Sequence, residues 1–311
     1  MLNKTLLIAS LIFASATRIS AQDAQRPSPP SPPAPGAAEL NPETATKVSV
    51  QQDVEYGVQG NEKLLLDIYQ PAEPGTKPRP AVVLIHGGGW TNFDKSTMRG
   101  MGNLLGRWGF VAISVNYRLL HGAENRWPAQ LDDVQRAVRW LRGNAAKYNI
   151  DPDHIGAFGH SAGAQLAALL GMEDTRDNSD PALAKYSSRV QAVVDVSGPT
   201  DFLSDRDPDG DAGLANLFGG DSTKLAAVWR DASPVSHVVK SNAPFLIVQG
   251  TRDSMVAMGQ PQELYDKLQQ AGVSVKFLKV DDGHTFQSPD ARRQLAAESL
   301  IFFDHYLAGH P

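Results

Sequence analysis

No cysteine occurs anywhere in the 311 residues. That absence removes disulfide staples, thiolate nucleophiles, cysteine-ligated zinc and lipid attachment through cysteine together. It carries no argument against export, since exported proteins need not contain disulfides. A basic excess is missing too: 29 Lys and Arg against 34 Asp and Glu leave a formal charge of -5, so the electrostatic footprint of a nucleic-acid binder is lacking. The apolar run at the N terminus, residues 6–16, is about eleven residues long, short of the roughly 20 that a stable membrane anchor needs. No repeat period is visible, which excludes a solenoid.

What the chain does have begins with Lys4 ahead of that apolar run and small residues around "ISAQ", near Ala21. This order of charge, apolar stretch and small-residue cleavage site is that of a secretory signal peptide. Residues 1–21 are therefore expected to be removed, and the mature protein to be periplasmic or secreted. Residues 22–44 contain "RPSPPSPPAPG", a composition suited to a disordered, extended polyproline-type linker. The folded domain is expected over 45–311.

Within it, apolar stretches of strand length alternate with amphipathic stretches of helix length, the pattern of an α/β domain whose mostly parallel central sheet carries helices on both faces. The expected strands are 63–69, 81–86, 110–117, 154–160, 190–198, 244–250 and 273–280, with "SVQQDVEYGV" pairing antiparallel at an edge. Leu131, Val134, Ala137, Val138 and Leu141 share one helical face, with Pro128 suited to its first turn. Leu264, Leu268 and Ala271 mark a second helix, and "ARRQLAAESLIFFDHYLAG" closes the chain. Residues 199–236 are the least regular segment.

The stretch "HIGAFGHSAGAQLAALLG" sets Ser161 between Gly159 and Gly163, where an apolar strand gives way to an alanine-rich helix. In that context G-x-S-x-G reads as a nucleophile turn. Lifting a serine above a sheet edge requires unfavourable φ/ψ at the serine, and side chains at the two glycines would collide with neighbouring backbone. Ala162 follows, its N–H aimed where an oxyanion forms. After the strand "AVVLI" comes "HGGGW", whose bare glycines can bring backbone N–H groups up to a substrate oxygen. Gly88 and Gly89 are the expected donors, joined by Ala162. A phosphate-binding loop would instead need G-x-x-x-x-G-K-[ST] or G-x-G-x-x-G, and neither follows.

A serine hydroxyl needs a histidine base oriented by a carboxylate, expected in the order Ser, acid, His. Of eight histidines, only His284, His305 and His310 lie after a plausible acid. His284 sits in "DDGHTF" directly after an expected strand, whereas His305 is embedded in the terminal helix and His310 in the tail. Asp253, three residues past a buried strand in "QGTRDSMV", is the favoured acid. Asp201 is the alternative, and Asp281 and Asp282 read as solvated loop charges.

His160 and His86 read as supports of the site through hydrogen bonds, with His160 near bound substrate. Trp90 and Phe93 either shape an acyl pocket or pack beneath the glycine loop; Trp90 is taken as substrate-binding. His86, His160 and His284 lack the spacing of metal ligands, and no metal or organic cofactor is needed for this chemistry. The string "DRDPDGDAGLAN", residues 205–216, matches the start of a calcium loop. Asn216 stands where a bidentate glutamate is expected, so an acidic surface loop is the preferred reading.

In order along the chain stand "HGGGW", "NYRL", "WPAQLDDVQRAVRWLR", "DPDHIGAFGHSAG", "SGPTDF", "ASPVSHV", "GTRDSMV" and "GHTF". On these motifs the sequence resembles the α/β-hydrolase superfamily. More closely it is similar to the carboxylesterases related to hormone-sensitive lipase, and within them to the bacterial acetyl-xylan and feruloyl esterase-like (BD-FAE-like) group. The resemblance implies an α/β-hydrolase fold with a minimal cap, nucleophile Ser161, acid Asp253, base His284, and oxyanion N–H groups from Gly88, Gly89 and Ala162. It also implies that Asp133 and Tyr117 are structural. The implied substrate is a short-chain acyl or feruloyl ester of a polysaccharide or small molecule. Amide hydrolysis and non-catalytic binding on the same fold are the alternatives; the kynurenine formamidases carry a related glycine loop that differs at Gly89. Oligomeric state has no signature in the sequence.

Overall fold

Runs such as "AVVLI", "VAISV" and "AVVDV" are apolar at every position or nearly so, which suits strands covered on both faces and not a half-exposed sheet. In the structure, a computed structural model that describes residues 46–204 and 208–309, with only the backbone of 208–211, these runs become the middle of an eight-stranded sheet. The expected leader (1–21) and linker (22–44) lie outside the described residues.

The strands are β1 (Val48–Gln59), β2 (Glu62–Pro71), β3 (Arg79–Ile85), β4 (Val111–Val115), β5 (Ile150–His160), β6 (Ala192–Val196), β7 (Phe245–Gly250) and β8 (Val275–Val280). Their spatial order is β1-β2-β4-β3-β5-β6-β7-β8. β1 pairs antiparallel with β2, as expected of the edge, and β2 pairs antiparallel with β4; all other pairings are parallel.

The helices are α1 (Arg99–Arg107), α2 (Ala129–Gly143), α3 (Ala145–Tyr148), α4 (Ala162–Met172), α5 (Pro208–Phe218), α6 (Ala226–Ala232), α7 (Gly259–Gln270) and α8 (Pro289–Phe303). Alternate residues of each strand serve opposite faces. Val83, Ile85 and Ile113 join a core with Leu131 and Val138 of α2, Leu166 of α4 and Leu264 of α7. Val82, Leu84 and Ala112 join a second core with Leu105 of α1 and Leu300 and Phe303 of α8. Among the described residues no helix is long and apolar enough to cross a membrane.

Two departures from the sequence reading concern helices. α1, "RGMGNLLGR", carries three glycines, each of which disfavours a helix, and periodicity gave no sign of it. Tertiary contact overrides propensity here. A Cβ at Gly102 would stand 2.6 Å from the Tyr69 ring and one at Gly106 3.0 Å from Val48, so the glycines let α1 lie close against β1 and β2. The least regular segment, 199–236, holds α5 and α6, which enter the main core through Leu217, Phe218 and the fully buried Trp229. The acidic string read as a surface loop is helical from Pro208. A calcium loop turns sharply at its sixth position, and Gly210, in that place, lies in helical backbone.

The carboxyl ends of β3, β5, β7 and β8 come out along one edge of the sheet, where α/β folds place their ligands. The loops there carry Gly88, Ser161, Asp253 and His284.

Candidate active site

Ser161 stands between the end of β5 at His160 and the start of α4 at Ala162, with φ 56 and ψ -124. A non-glycine residue held there stores about 1–3 kcal/mol, so its surroundings must over-determine it. They do: Ser161 N–H donates to Val196 O at 2.8 Å, and Ala164 N–H donates to Ser161 O at 2.8 Å. A Cβ at Gly159 would overlap the Gly163 carbonyl, and one at Gly163 the carbonyls of Ile85 and His86. Every residue of α4 is buried, which anchors the turn from its helical side.

His284, on the loop after β8, joins the serine to a carboxylate. Its Nδ1 lies 2.7 Å from Asp253 Oδ2 and its Nε2 2.9 Å from Ser161 Oγ. An ionised carboxylate only accepts, so Nδ1 carries the proton and Nε2 offers its lone pair to the serine hydroxyl. The side chains of His284 and Asp253 are 8% and 1% exposed. Asp253 Oδ1 accepts from Met255 N–H at 2.8 Å and Val256 N–H at 2.9 Å, which fixes the carboxylate plane.

The alternative acid, Asp201, is taken up by Leu203 N–H at 2.7 Å and the Ser204 hydroxyl at 2.5 Å. Asp281 is an exposed partner of Arg252. Asp282 departs from its reading as a solvated charge. It is buried, accepts from Gly283 N–H and Ser288 N–H, both at 2.7 Å, and is held down to about 2 chiefly by the Ser288 N–H. It ties the two ends of the His284 loop together.

Gln249, which sequence reasoning passed over, is fully buried at the end of β7. Its Nε2 donates to Asp253 Oδ2 at 2.9 Å and to Val256 O at 3.0 Å. The signal was a lone amide closing the apolar run "FLIVQG" at the sheet edge where the acid loop begins.

Gly88 (φ 107) and Gly89 (φ 58) adopt backbone conformations that favour glycine. Thr91 and Asn92 N–H groups donate back to Gly88 O at 3.1 and 3.0 Å, closing a turn. The N–H groups of Gly88, Gly89 and Ala162 meet no acceptor among the described residues. That of Ala162 is free because it opens α4. Gly88, Gly89, Ser161 and His284 line one cavity of about 1200 Å³.

Of the two residues expected at bound substrate, His160 lines this cavity and Trp90 does not. Trp90 is buried, its indole N–H donating to Gln165 Oε1 at 3.2 Å and its ring standing edge-on to Phe202. An indole needs both a partner and an apolar bed, and it finds them beneath the loop. Phe93, 67% exposed, faces the cavity instead. His160 Nε2–H donates to His284 O at 3.0 Å, and burial lowers its pKa. His86 stacks on Tyr117 at 4.4 Å and donates to Gly87 O at 2.7 Å; burial lowers it too. The Tyr117 hydroxyl donates to His86 O at 3.0 Å, and Asp133 receives Arg118 N–H and Nη2, both at 2.8 Å.

Elsewhere, Glu173, Asp231 and His237 offer ligand atoms within 4.8 Å of one another. Burial works against the charge on His237, but Glu173 at 2.6 Å raises its pKa overall, and Arg176 pairs with Asp231 at 2.9 Å. The group is an ion-pair network with its own cations.

A model of the BD-FAE family matches residues 66–268. Among curated relatives, esterase LipC of Mycobacterium tuberculosis is 30% identical over 250 residues, 77% of this chain and 61% of its own. Probable carboxylic ester hydrolase LipM of the same organism is 31% identical over 264 residues, 82% of this chain and 60% of its own. The chain thus spans about three fifths of the length of these relatives. The truncated form of a carbohydrate esterase from gut microbiota superposes with TM-score 0.69 at 28% identity, over 86% of this chain and 99% of that one. The butyrate-bound esterase Est2 of Thermogutta terrifontis, at 24% identity over 86% of this chain and 97% of its own, has TM-score 0.70 and shares the fold.

Proposed function

The chain belongs to the BD-FAE family, and from that premise we propose that it is a serine carboxylic ester hydrolase working through an acyl-enzyme. The observation that carries the reading is the unbroken pair of hydrogen bonds from Asp253 to His284 at 2.7 Å and from His284 to Ser161 at 2.9 Å. Ser161 Oγ attacks the ester carbonyl while His284 Nε2 takes its proton. Asp253 holds the Nδ1–H tautomer and stabilises the imidazolium. The carbonyl oxygen, now an oxyanion, is received by the N–H groups of Gly88, Gly89 and Ala162, each lowering the barrier by about 3 kcal/mol. His284 then returns the proton to the departing alcohol. A water molecule, deprotonated by the same nitrogen, releases the acid and restores Ser161.

The ester is one of a small molecule or polysaccharide, with short acyl groups or feruloyl as the class first expected. Similarity to a carbohydrate esterase supports the polysaccharide reading, and the leader and proline-rich linker expected from sequence support action in the periplasm or outside the cell. The test is hydrolysis of 4-nitrophenyl acetate, acetylated xylan and methyl ferulate by the wild type and Ser161→Ala. Loss of turnover in the variant supports the reading; equal turnover by both proteins overturns it.

A further inference from the structure

The cavity around Ser161 is larger than an acetyl group requires. Pockets that enclose a whole ligand measure about 300–1,000 Å³, and this one reaches about 1200 Å³. Its walls include residues of α1 and α8, which together form a cleft. Met98 and Phe286 line it, as do Met101 and Leu104 of α1 and Arg292, Leu295 and Ala296 of α8. Phe158 and Val196, both buried near the carboxyl ends of β5 and β6, line it too. From Thr97 to Leu104 the wall extends roughly 10 Å at helical rise.

We infer that this cleft is the seat of a medium-length, unbranched acyl chain, so that the acyl range of the enzyme extends past the short groups first expected. The inference rests on the reading of Ser161 as nucleophile. Three features select the acyl chain as occupant. The lining that α1 and α8 contribute is mainly aliphatic and thioether, with Gly100 and Arg292 besides, so it recognises methylenes chiefly by burial. The cleft is continuous with the cavity that Ser161 and His284 line. And the acyl group stays covalently attached after the first step while the alcohol must leave, so a recess beside the serine suits the retained group. Met98 and Met101, unbranched and adaptable, fit a flexible chain better than a fixed ring. Each methylene fully buried in the cleft should improve kcat/KM about fourfold, and the gain should fall mainly on KM because the chain makes the same contacts before and during attack.

The experiment measures kcat and KM for 4-nitrophenyl acetate, butyrate, octanoate and dodecanoate, and for ethyl against octyl acetate, with wild type, Ser161→Ala, Leu104→Trp and Ala296→Trp. Expected are a rise of at least tenfold in kcat/KM from acetate to octanoate, no comparable gain for octyl over ethyl acetate, and a fall of at least tenfold in the octanoate-to-acetate ratio in either tryptophan variant. A flat or falling acyl series whose turnover still depends on Ser161 overturns the cleft assignment and leaves the hydrolase reading standing. Turnover surviving in Ser161→Ala overturns both. A gain for octyl acetate instead assigns the cleft to the alcohol, which also overturns the proposal. Should a tryptophan variant not fold, the wild-type series decides alone.

Discussion

Gln249 Nε2 and His284 Nδ1 converge on a single oxygen, Oδ2 of Asp253, at 2.9 and 2.7 Å. The carboxylate is held from behind by a fully buried amide that donates to Val256 O as well. Gln249→Leu removes that donor and the bond to Val256 O together. Hydrogen bonds to charged groups contribute about 1.5–3 kcal/mol, so kcat should fall about tenfold to a hundredfold, with KM nearly unmoved and a lower melting temperature. Steady-state kinetics and a thermal melt check this; kcat within twofold of wild type would remove Gln249 from the account.

The backbone at Ser161 carries strain for the sake of the side chain's position. Ser161→Gly relieves the positive φ, a gain partly offset by the greater freedom of glycine in the unfolded chain. The variant should be inactive yet more stable than wild type by about 1 kcal/mol. Denaturant unfolding of both proteins tests it, and a less stable variant contradicts the claim of stored strain.

Asp195 on β6 supplies a pH dependence of stability. Burial raises its carboxyl from 3.8 to about 7, opposed by the Gly198 N–H that donates to it. Between those values the native chain keeps a proton that the unfolded chain has released, so stability falls as pH rises across the window. The loss approaches about 4 kcal/mol by its upper end. Asp195→Asn keeps an acceptor for Gly198 and abolishes the titration. Its melting temperature relative to wild type should therefore climb from pH 5 to pH 8, and parallel curves would contradict this origin.

Trp90 is a core residue under the glycine loop. Trp90→Phe deprives the buried Gln165 Oε1 of its donor, which costs about 1–3 kcal/mol. KM for acetate and octanoate esters should be affected alike. A thermal melt and the two KM values decide the matter: a selective rise for one ester would return Trp90 to the substrate.

The sheet was legible because its inner strands are covered on both faces and so read as unbroken apolar runs, and the edge strand β1 because it alternates. That Ser161, Asp253 and His284 would meet was legible because each follows one of those runs at the same sheet edge, where turn chemistry survives in short motifs. α1 was not, because its glycines serve contacts with Tyr69 and Val48 that lie far away in sequence. Gln249 and Asp282 escaped for a related reason: their roles depend on which backbone N–H or carboxylate arrives opposite them. Trp90 was misplaced because an aromatic beside a glycine loop suits either the cavity or the core, and only the position of Gln165 distinguishes them.

Hydrolysis through an acyl-enzyme requires that Ser161 Oγ form a covalent bond to substrate. Mass spectrometry of the protein after treatment with a fluorophosphonate, followed by peptide mapping, tests it most directly. One adduct is expected, on the peptide bearing Ser161, absent from Ser161→Ala and slowed by several orders of magnitude in His284→Ala. An enzyme that hydrolyses esters yet carries no adduct at Ser161, or is modified at another residue with matching loss of activity, would contradict it.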